Sequence, residues 1–460
     1  MVSYLPKQEP RSLLFFFLSL LTVFICYTKT GLRYDGIILS VFFTIGILSL
    51  YGILLSVDSR TYSLNKSFCI FYYFFFFIAP VVQFKRNTVF YTELFITDQT
   101  YLNTGIILLL ILLIYLFLYH ILVSNIQRKR RKQSVDASLK KRTFGKQPTL
   151  VLYYTLALLG LILYICLVKF NIRLLIYRPF LYSVKENTFL GLPGYALVCV
   201  ARLLPFVVLM HYKLRYPQNN RHTYVFLLLT LLSCFPSALS RGLLAVLYIP
   251  LLILFIPVLQ KGINYVLMYL TGLLLVFPLF NNLRYLNEGV FAFNFELFNS
   301  AHFDAFQNLA LLINEDIVTH GRQLLGDILF FVPESLWAGR PHGTGHLLGE
   351  TVGYSYLNVS MPYVGEGYAN WGYWGIALFL IVIVLVNAFF DSHKTRANLN
   401  RPLQLLYFIG LGFEFYLMRG DLWSSIKIGT SFLLAIICLE ITFWLFVKKN
   451  HNESIKNQTL

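Results

Sequence analysis

Guanidinium groups are the first chemistry this sequence offers. Arg241, Arg284, Arg322, Arg340 and Arg419 each stand near the end of an apolar run or in the long polar stretch between two of them. An arginine so placed presents a planar fork that holds phosphate or carboxylate through two bonds. It can also lay its stem along lipid and raise its charge to the headgroups, so both readings stay open for each one. Arg202 differs, because it lies inside an apolar run between Cys199-Val-Ala and Leu-Leu-Pro205. A charge there is expensive unless it is paired or watered. Glu414 and Glu440, in later apolar runs, are its expected partners; a structural ion pair and a substrate contact both remain open.

Acids and bases gather in the stretch that carries Arg322 and Arg340. They are Asp304, Glu315, Asp316, His320, Asp327, Glu334, His342, His346, Glu350 and Glu366. His342 and His346 have a His-x3-His spacing, but Gly343 and Gly345 between them argue against a helix, so no metal site is expected. Trp337, Trp371, Trp374 and Trp423 lie at or beyond the expected outer boundary of the apolar runs, and Tyr354, Tyr356, Tyr363, Tyr368 and Tyr373 crowd the segment around Trp371. Aromatic faces pack on sugar rings, and they also anchor helices at a membrane surface. The anchoring reading suits Trp371 and Trp374; it suits Trp337 and Tyr368 less well.

The elements that must position these groups are membrane helices. Of 460 residues, 57% are hydrophobic and 13% charged, with 43 Phe and 31 Tyr. A soluble domain carries roughly 25% charged residues, so a soluble enzyme, a disordered chain and a coiled coil are excluded. Apolar runs predict twelve spans, near 12–27, 36–57, 67–84, 104–124, 149–169, 191–211, 223–236, 243–260, 263–281, 371–390, 402–418 and 428–447. Backbone groups find no water in hydrocarbon, so helices are the only reading for such runs. The 223–236 run is short, and with 243–260 it reads alternatively as a broken or re-entrant pair around Pro236 to Gly242. The net charge of +17 lies in short connections. It reflects topology and anionic lipid, and no nucleic acid is expected. Gln127-Arg-Lys-Arg-Arg-Lys132 and Lys140-Lys-Arg142 fix a basic cytoplasmic loop at 125–148, which puts both termini inside. All six cysteines fall in apolar runs, so neither a disulfide framework nor a CxxC metal site is indicated.

One connection breaks the pattern of short loops. Residues 282–370 divide nine N-terminal spans (1–281) from three C-terminal ones (371–460). Loops of this length are usually functional. Phe303 to Asn314 has helical apolar spacing, with Ser300 as its N-cap, and Arg322 to Val332 reads as a second helix stopped by Pro333. Both have an apolar face suited to the bilayer surface or to the helix bundle. A Gly-rich stretch, Arg340 to Gly349, follows them.

Phe331-Val-Pro-Glu-Ser-Leu-Trp337, then Glu366-Gly-Tyr-Ala-Asn-Trp-Gly-Tyr-Trp-Gly375 at a helix start, with Arg419-Gly-Asp-Leu422 and Ser240-Arg-Gly242, resemble the oligosaccharide repeat-unit polymerases, also called O-antigen polymerases. The resemblance covers residues 235–430, and the twelve-span layout extends it. It implies an all-α polytopic, GT-C-like glycosyltransferase of the bacterial plasma membrane that works on the outer face, without cofactor or required metal, for O-antigen or capsule synthesis. The growing glycan would pass from undecaprenyl pyrophosphate to the terminal sugar of a new lipid-linked unit. A chain-length regulator would be a partner. The resemblance places phosphate binding on Arg241, Arg284, Arg340 and Arg419, where charge builds on the leaving pyrophosphate. It makes Glu366 the first choice of general base and His346 the second, with Glu366 as a helix-capping carboxylate left open. Arg322, Arg202, Trp337, Tyr363, Tyr368 and Asn370 complete the expected substrate contacts.

Three rival readings use similar parts. An O-antigen ligase shares the architecture and chemistry, with a lipid A-core acceptor. A lipid-linked glycan flippase also has about twelve helices, but it would be expected to show two similar halves. A GT-C transferase using a polyprenyl-phosphate sugar usually has acids in its first outer loop, where this chain has only Asp35.

Overall fold

Asp35 opens the first described helix by accepting the backbone N–H groups of Ile37 and Ile38. That cap satisfies donors which a helix end otherwise leaves bare. The computed structural model describes residues 33, 35–56, 61–136, 149–176, 191–273, 298–333, 335–393 and 400–456. The expected first span, Arg284 and Glu334 lie outside these residues. The helices are α1 (Gly36–Leu54), α2 (Leu64–Arg86), α3 (Asp98–Asp136), α4 (Leu150–Leu167), α5 (Gly191–Arg215), α6 (Asn220–Ser233), α7 (Arg241–Phe255) and α8 (Gly262–Thr271). After them come α9 (Ala305–Asn314), α10 (Arg322–Ile328), α11 (Thr344–Val352), α12 (Tyr363–His393), α13 (Arg401–Arg419) and α14 (Leu422–Lys456).

Seven helices among the described residues are long and apolar enough to cross a membrane: α1 to α5, α12 and α14, over the spans 36–54, 64–86, 98–129, 150–167, 197–215, 363–393 and 422–446. The chain is therefore a helical membrane protein. Of the other expected spans, the first lies outside the described residues, 263–281 is described only to residue 273, and α6 and α7 are short, at 14 and 15 residues. A span needs about 20. α13 has 19 residues, including the buried Glu414 and Gln404, and is less apolar. Part of the basic stretch expected as loop continues α3 as helix to Asp136.

α2 is the hub. Every residue from Ser63 to Lys85 is buried. Its aromatic run packs Phe68 on Tyr115 at 3.6 Å and Phe71 on Phe75 at 4.6 Å, and a π-helical turn occupies Phe74–Ile78. Asp391, near the end of α12, fastens the start of this hub. It accepts the N–H groups of Leu64 (2.9 Å) and Asn65 (3.1 Å) and the hydroxyls of Tyr119 (2.8 Å) and Tyr407 (3.0 Å). Burying that carboxylate among four donors ties α2, α3, α12 and α13 together at one end of the bundle.

Two helical hairpins shape the other end, which α9 to α11 cover and which is called here the capped end. In the first, α6 and α7 meet at Pro236–Ala238. Lys213, near the end of α5, bonds the Pro217 carbonyl just before α6 and lies over the Phe255 ring at the end of α7. Arg202, eleven residues earlier on α5, bonds the tip. The pair thus runs out and back beside α5, as the broken-pair reading of 223–260 anticipates.

The second hairpin lies inside α12, and the expected boundary at 371 falls on its corner. Trp371 (φ −146°, ψ 29°) and Gly372 (φ 59°, ψ −141°) are not helical. Tyr363 and Phe379 have ring centroids 4.9 Å apart, whereas sixteen residues of straight helix span about 24 Å. The arm 363–370 therefore folds back against 373–393. Gly367 and Gly375 allow the backbones to touch, for a Cβ on Gly367 would come within 2.7 Å of the Gly375 oxygen. Every residue of the arm is buried. The expected long loop thus ends in a helical arm folded back on the rest of α12.

Candidate active site

The folded-back arm is a peg that holds three other helices. Glu366, fully buried, accepts the Leu422 N–H at the start of α14 (2.8 Å) and the Thr344 hydroxyl at the start of α11. Asn370 accepts the Leu324 N–H in the first turn of α10 (2.8 Å), and its own amide donates to the Glu366 carbonyl (2.9 Å). Gly321, at φ +87°, passes against the Trp371 indole and donates to the Asn370 carbonyl at 2.9 Å. Asp421 works beside the peg. It accepts the Gly345 N–H of α11 (3.1 Å) and the Trp423 N–H of α14 (2.9 Å). Two carboxyl groups thus cap α11 and α14, supplying acceptors that the first turns of a helix otherwise lack. Glu366 faces protein on all sides, which is the capping alternative rather than a base open to an acceptor.

The seam between α10 and α14 has a different character. Gln323 and Asp327 lie one turn apart on the buried face of α10. Trp423 and Lys427 lie one turn apart at the start of α14. Lys427 Nζ stands 2.9 Å from the Trp423 ring centroid, and the Arg340 guanidinium lies 5.9 Å from it. Asp327 Oδ2, Gln323 Oε1 and Trp423 Nε1 are buried yet make no hydrogen bond. Leaving a buried polar atom unmatched costs about 1–3 kcal/mol, so each of these three, on two helices in contact, has capacity for a polar partner. Burial, and then the neighbouring Asp421 carboxylate, push the Asp327 carboxyl up to about 8, with Lys427 opposing them. Asp421 is likewise raised by burial, and its backbone donors and Lys427 pull the other way. A carboxyl poised near neutrality beside cations is suited to proton transfer.

The expected arginines fall into two groups. Arg340 is buried and donates to the carbonyls of Phe330 (3.2 Å) and Val332 (2.7 Å). Arg322 reaches the Gly339 carbonyl at 2.9 Å, so both grip the turn that carries the half-buried Trp337. Arg241 and Arg419 form the second group, at neighbouring ends of α7 and α13, because Gly242 packs directly on the Tyr416 ring. Arg419 is half-buried, 3.5 Å from Asp304, and bonds the His302 carbonyl. Burial raises the Asp304 carboxyl, and the guanidinium pulls it back.

Several expectations are corrected. Arg202 pairs with neither Glu414 nor Glu440; it donates to the Ser233 (3.0 Å) and Ala238 (3.2 Å) carbonyls exposed by the α6–α7 break, with the Tyr164 ring 5.3 Å away. Glu414 accepts from Asn387 on α12, and Glu440 lies 3.8 Å from His211. His346 sits on a helix despite its flanking glycines, facing His342 at 4.6 Å between ring centroids and Glu350 at 3.5 Å. Among the described residues, no three His, Cys, Asp or Glu side chains converge to hold a metal. Tyr363 packs on Phe379, and the Tyr368 hydroxyl donates to Asp316 (2.7 Å), so both brace the arm.

Sequence reasoning passed over Lys427, met Asp421 only as part of the Arg419–Leu422 motif, and left Asp327 as one of seven acids among ten candidate acids and bases. A lone lysine one turn from a tryptophan at the head of an apolar run was the available signal. Asp421, immediately before that run, has the position of an N-cap. Comparison with known proteins returned no matching family model, no matching curated protein and no matching solved structure.

Proposed function

We propose that the chain is a membrane glycosyltransferase that polymerises oligosaccharide repeat units carried on undecaprenyl pyrophosphate, with the capped end facing the cell exterior. The observation that carries this reading is the α10–α14 seam. Its unmatched buried acceptors and donor, Asp327, Gln323 and Trp423, suit a hydroxyl-bearing ligand, and Lys427 beside them suits an anionic one. A lipid-linked sugar diphosphate has both properties.

In the reaction, a hydroxyl of the acceptor sugar attacks the anomeric carbon of the donor glycan. The bond from that carbon to the pyrophosphate oxygen breaks, and lipid pyrophosphate leaves with the electron pair. Asp327, in its ionised form, takes the hydroxyl proton. Lys427, Arg419 and Arg241 meet the charge that builds on the leaving group, with Arg284 assigned the same task by resemblance. Arg340 and Arg322 hold the turn that closes the site. Glu366, Asp421 and Asn370 position α10, α11 and α14. The reading carries with it a GT-C-like frame of twelve spans in a bacterial plasma membrane, with α6, α7, α8 and α13 among its members. It needs no cofactor, and it leaves room for a chain-length regulator.

A ligase would use the same site with a different acceptor, and a flippase would move the lipid without breaking the bond. Deletion followed by gel analysis of surface glycan separates them. A single repeat unit on its anchor supports polymerase. Polymer stranded on the lipid carrier would mean ligase, and no lipid-linked glycan on the outer leaflet would mean flippase.

A further inference from the structure

α10 is amphipathic the wrong way round for a helix in water. Its polar residues Gln323 and Asp327 are buried against the protein, at 4% and 1% exposure. Its apolar residues Leu325 (50%), Ile328 (52%) and, just beyond the helix, Phe331 (55%) stand exposed at three-residue intervals, with Leu336 (80%) after them. A surface helix in water shows the opposite pattern, and an outward apolar stripe is stable where the surroundings are apolar.

The position of α10 identifies those surroundings. Asn370 and Gly321 clamp its first turn to the corner of α12, where Trp371 lies. The next turn of α12 exposes Tyr373 (61%) and Trp374 (85%), and Leu378, Ile381 and Val382 continue that surface down the span. Exposed Trp and Tyr at the end of an apolar span mark the membrane interface. The stripe of α10 therefore continues the lipid-facing surface of α12 at the height of its aromatic end. Arg322, exposed at the head of α10, has the position of a headgroup anchor.

We infer that α10 and the turn through Leu336 lie in the outer part of the bilayer leaflet on the capped side, with Leu325, Ile328, Phe331 and Leu336 among the acyl chains. The α10–α14 seam then opens beside lipid. This placement rests on the membrane-protein assignment and not on the reaction proposed above. It adds to that reaction the side from which an isoprenoid carrier reaches Asp327 and Lys427.

The test is photocrosslinking of the full chain in nanodiscs of phosphatidylethanolamine and phosphatidylglycerol. A benzophenone amino acid is introduced singly at Leu325, Leu336, Ile381 and Glu350, and adducts are identified by mass spectrometry. Lipid adducts at 325 and 336 comparable to those at Ile381 on the lipid face of α12, and none at the exposed Glu350, are expected. Absence of lipid adducts at 325 and 336 while 381 gives them would overturn the placement. Protein–protein adducts at 325 and 336 would overturn it as well, by assigning the stripe to a second chain. Glycan polymerisation is not read in this assay, so its outcome stands apart from the fate of the enzymatic reading.

Discussion

Replacing Asp327 with Asn should lower activity and raise stability together, a combination that distinguishes a proton-transfer residue from a structural one. Asn keeps the size of the side chain and removes its ability to take a proton. Loss of a general base costs about 10²–10⁴ in rate. The stability effect follows from linkage. The Asp327 carboxyl titrates at about 8 in the folded chain and at the usual 3.8 when free of its surroundings. Between those values the folded chain holds a proton that the unfolded chain has released, so stability falls as pH rises through this window. Each unit is worth 1.36 kcal/mol, so the penalty above pH 8 is on the order of 6 kcal/mol. Asn carries no such penalty. The wild-type rate should climb about tenfold per pH unit up to about 8, because only the ionised form accepts the proton, and then level off. The assays are the rate of polymer formation from lipid-linked repeat units between pH 6 and 9, and thermal unfolding in nanodiscs over the same range. An Asp327→Asn protein that keeps the wild-type rate and pH profile, or that melts below wild type at pH 9, refutes the reasoning.

The other predictions concern the surroundings of that carboxyl. Lys427→Met should move the rise of the pH–rate profile upward, since Lys427 holds the Asp327 carboxyl down, and should cost about 10²–10³ in rate if it also meets the leaving group. Glu366→Gln should keep activity within a few-fold, because its amide oxygen can still accept the Leu422 N–H and its NH2 can donate to Thr344; Glu366→Ala should unfold by roughly 1–3 kcal/mol or more, and thermal melts compare the two. Gly375→Ala should abolish expression of folded protein, because the new Cβ runs into the Gly367 carbonyl, a clash of backbone with no side chain to move aside. Asp391→Ala should destabilise the opposite end of the bundle by about 3 kcal/mol without altering the pH profile, since it strips four donors of their acceptor.

Much of the frame was legible because long apolar runs have one stable form in lipid. The spans near 36–57, 67–84, 104–124 and 149–169 all appear, and the start of the span at 371 coincides with the corner at Trp371 and Gly372. The arm before that corner was not legible. Tyr363 to Asn370 has the apolar and small residues of a helix, and no local pattern says that it doubles back; the close approach of Gly367 to Gly375 depends on tertiary packing. Glu366 was noticed for the right reason, a carboxylate in an unusual motif, yet its neighbours come from residues 344 and 422, which only folding brings to it. Arg202 failed in the same way. Its partners are backbone carbonyls released where α6 breaks, and carbonyls carry no mark in a sequence. Lys427 escaped attention because a single lysine bordering an apolar run looks like any interfacial anchor until Trp423 and Asp327 are seen beside it.

The most direct measurement is reconstitution of the purified chain in nanodiscs with a single lipid-linked repeat unit as the only glycan. The account predicts a ladder of products on the lipid, one unit apart, with one undecaprenyl pyrophosphate released per bond formed, and both absent from the Asp327→Asn protein. Lipid-linked units that remain monomeric until a different acceptor is supplied, or that cross the bilayer with their pyrophosphate bond intact, would contradict it.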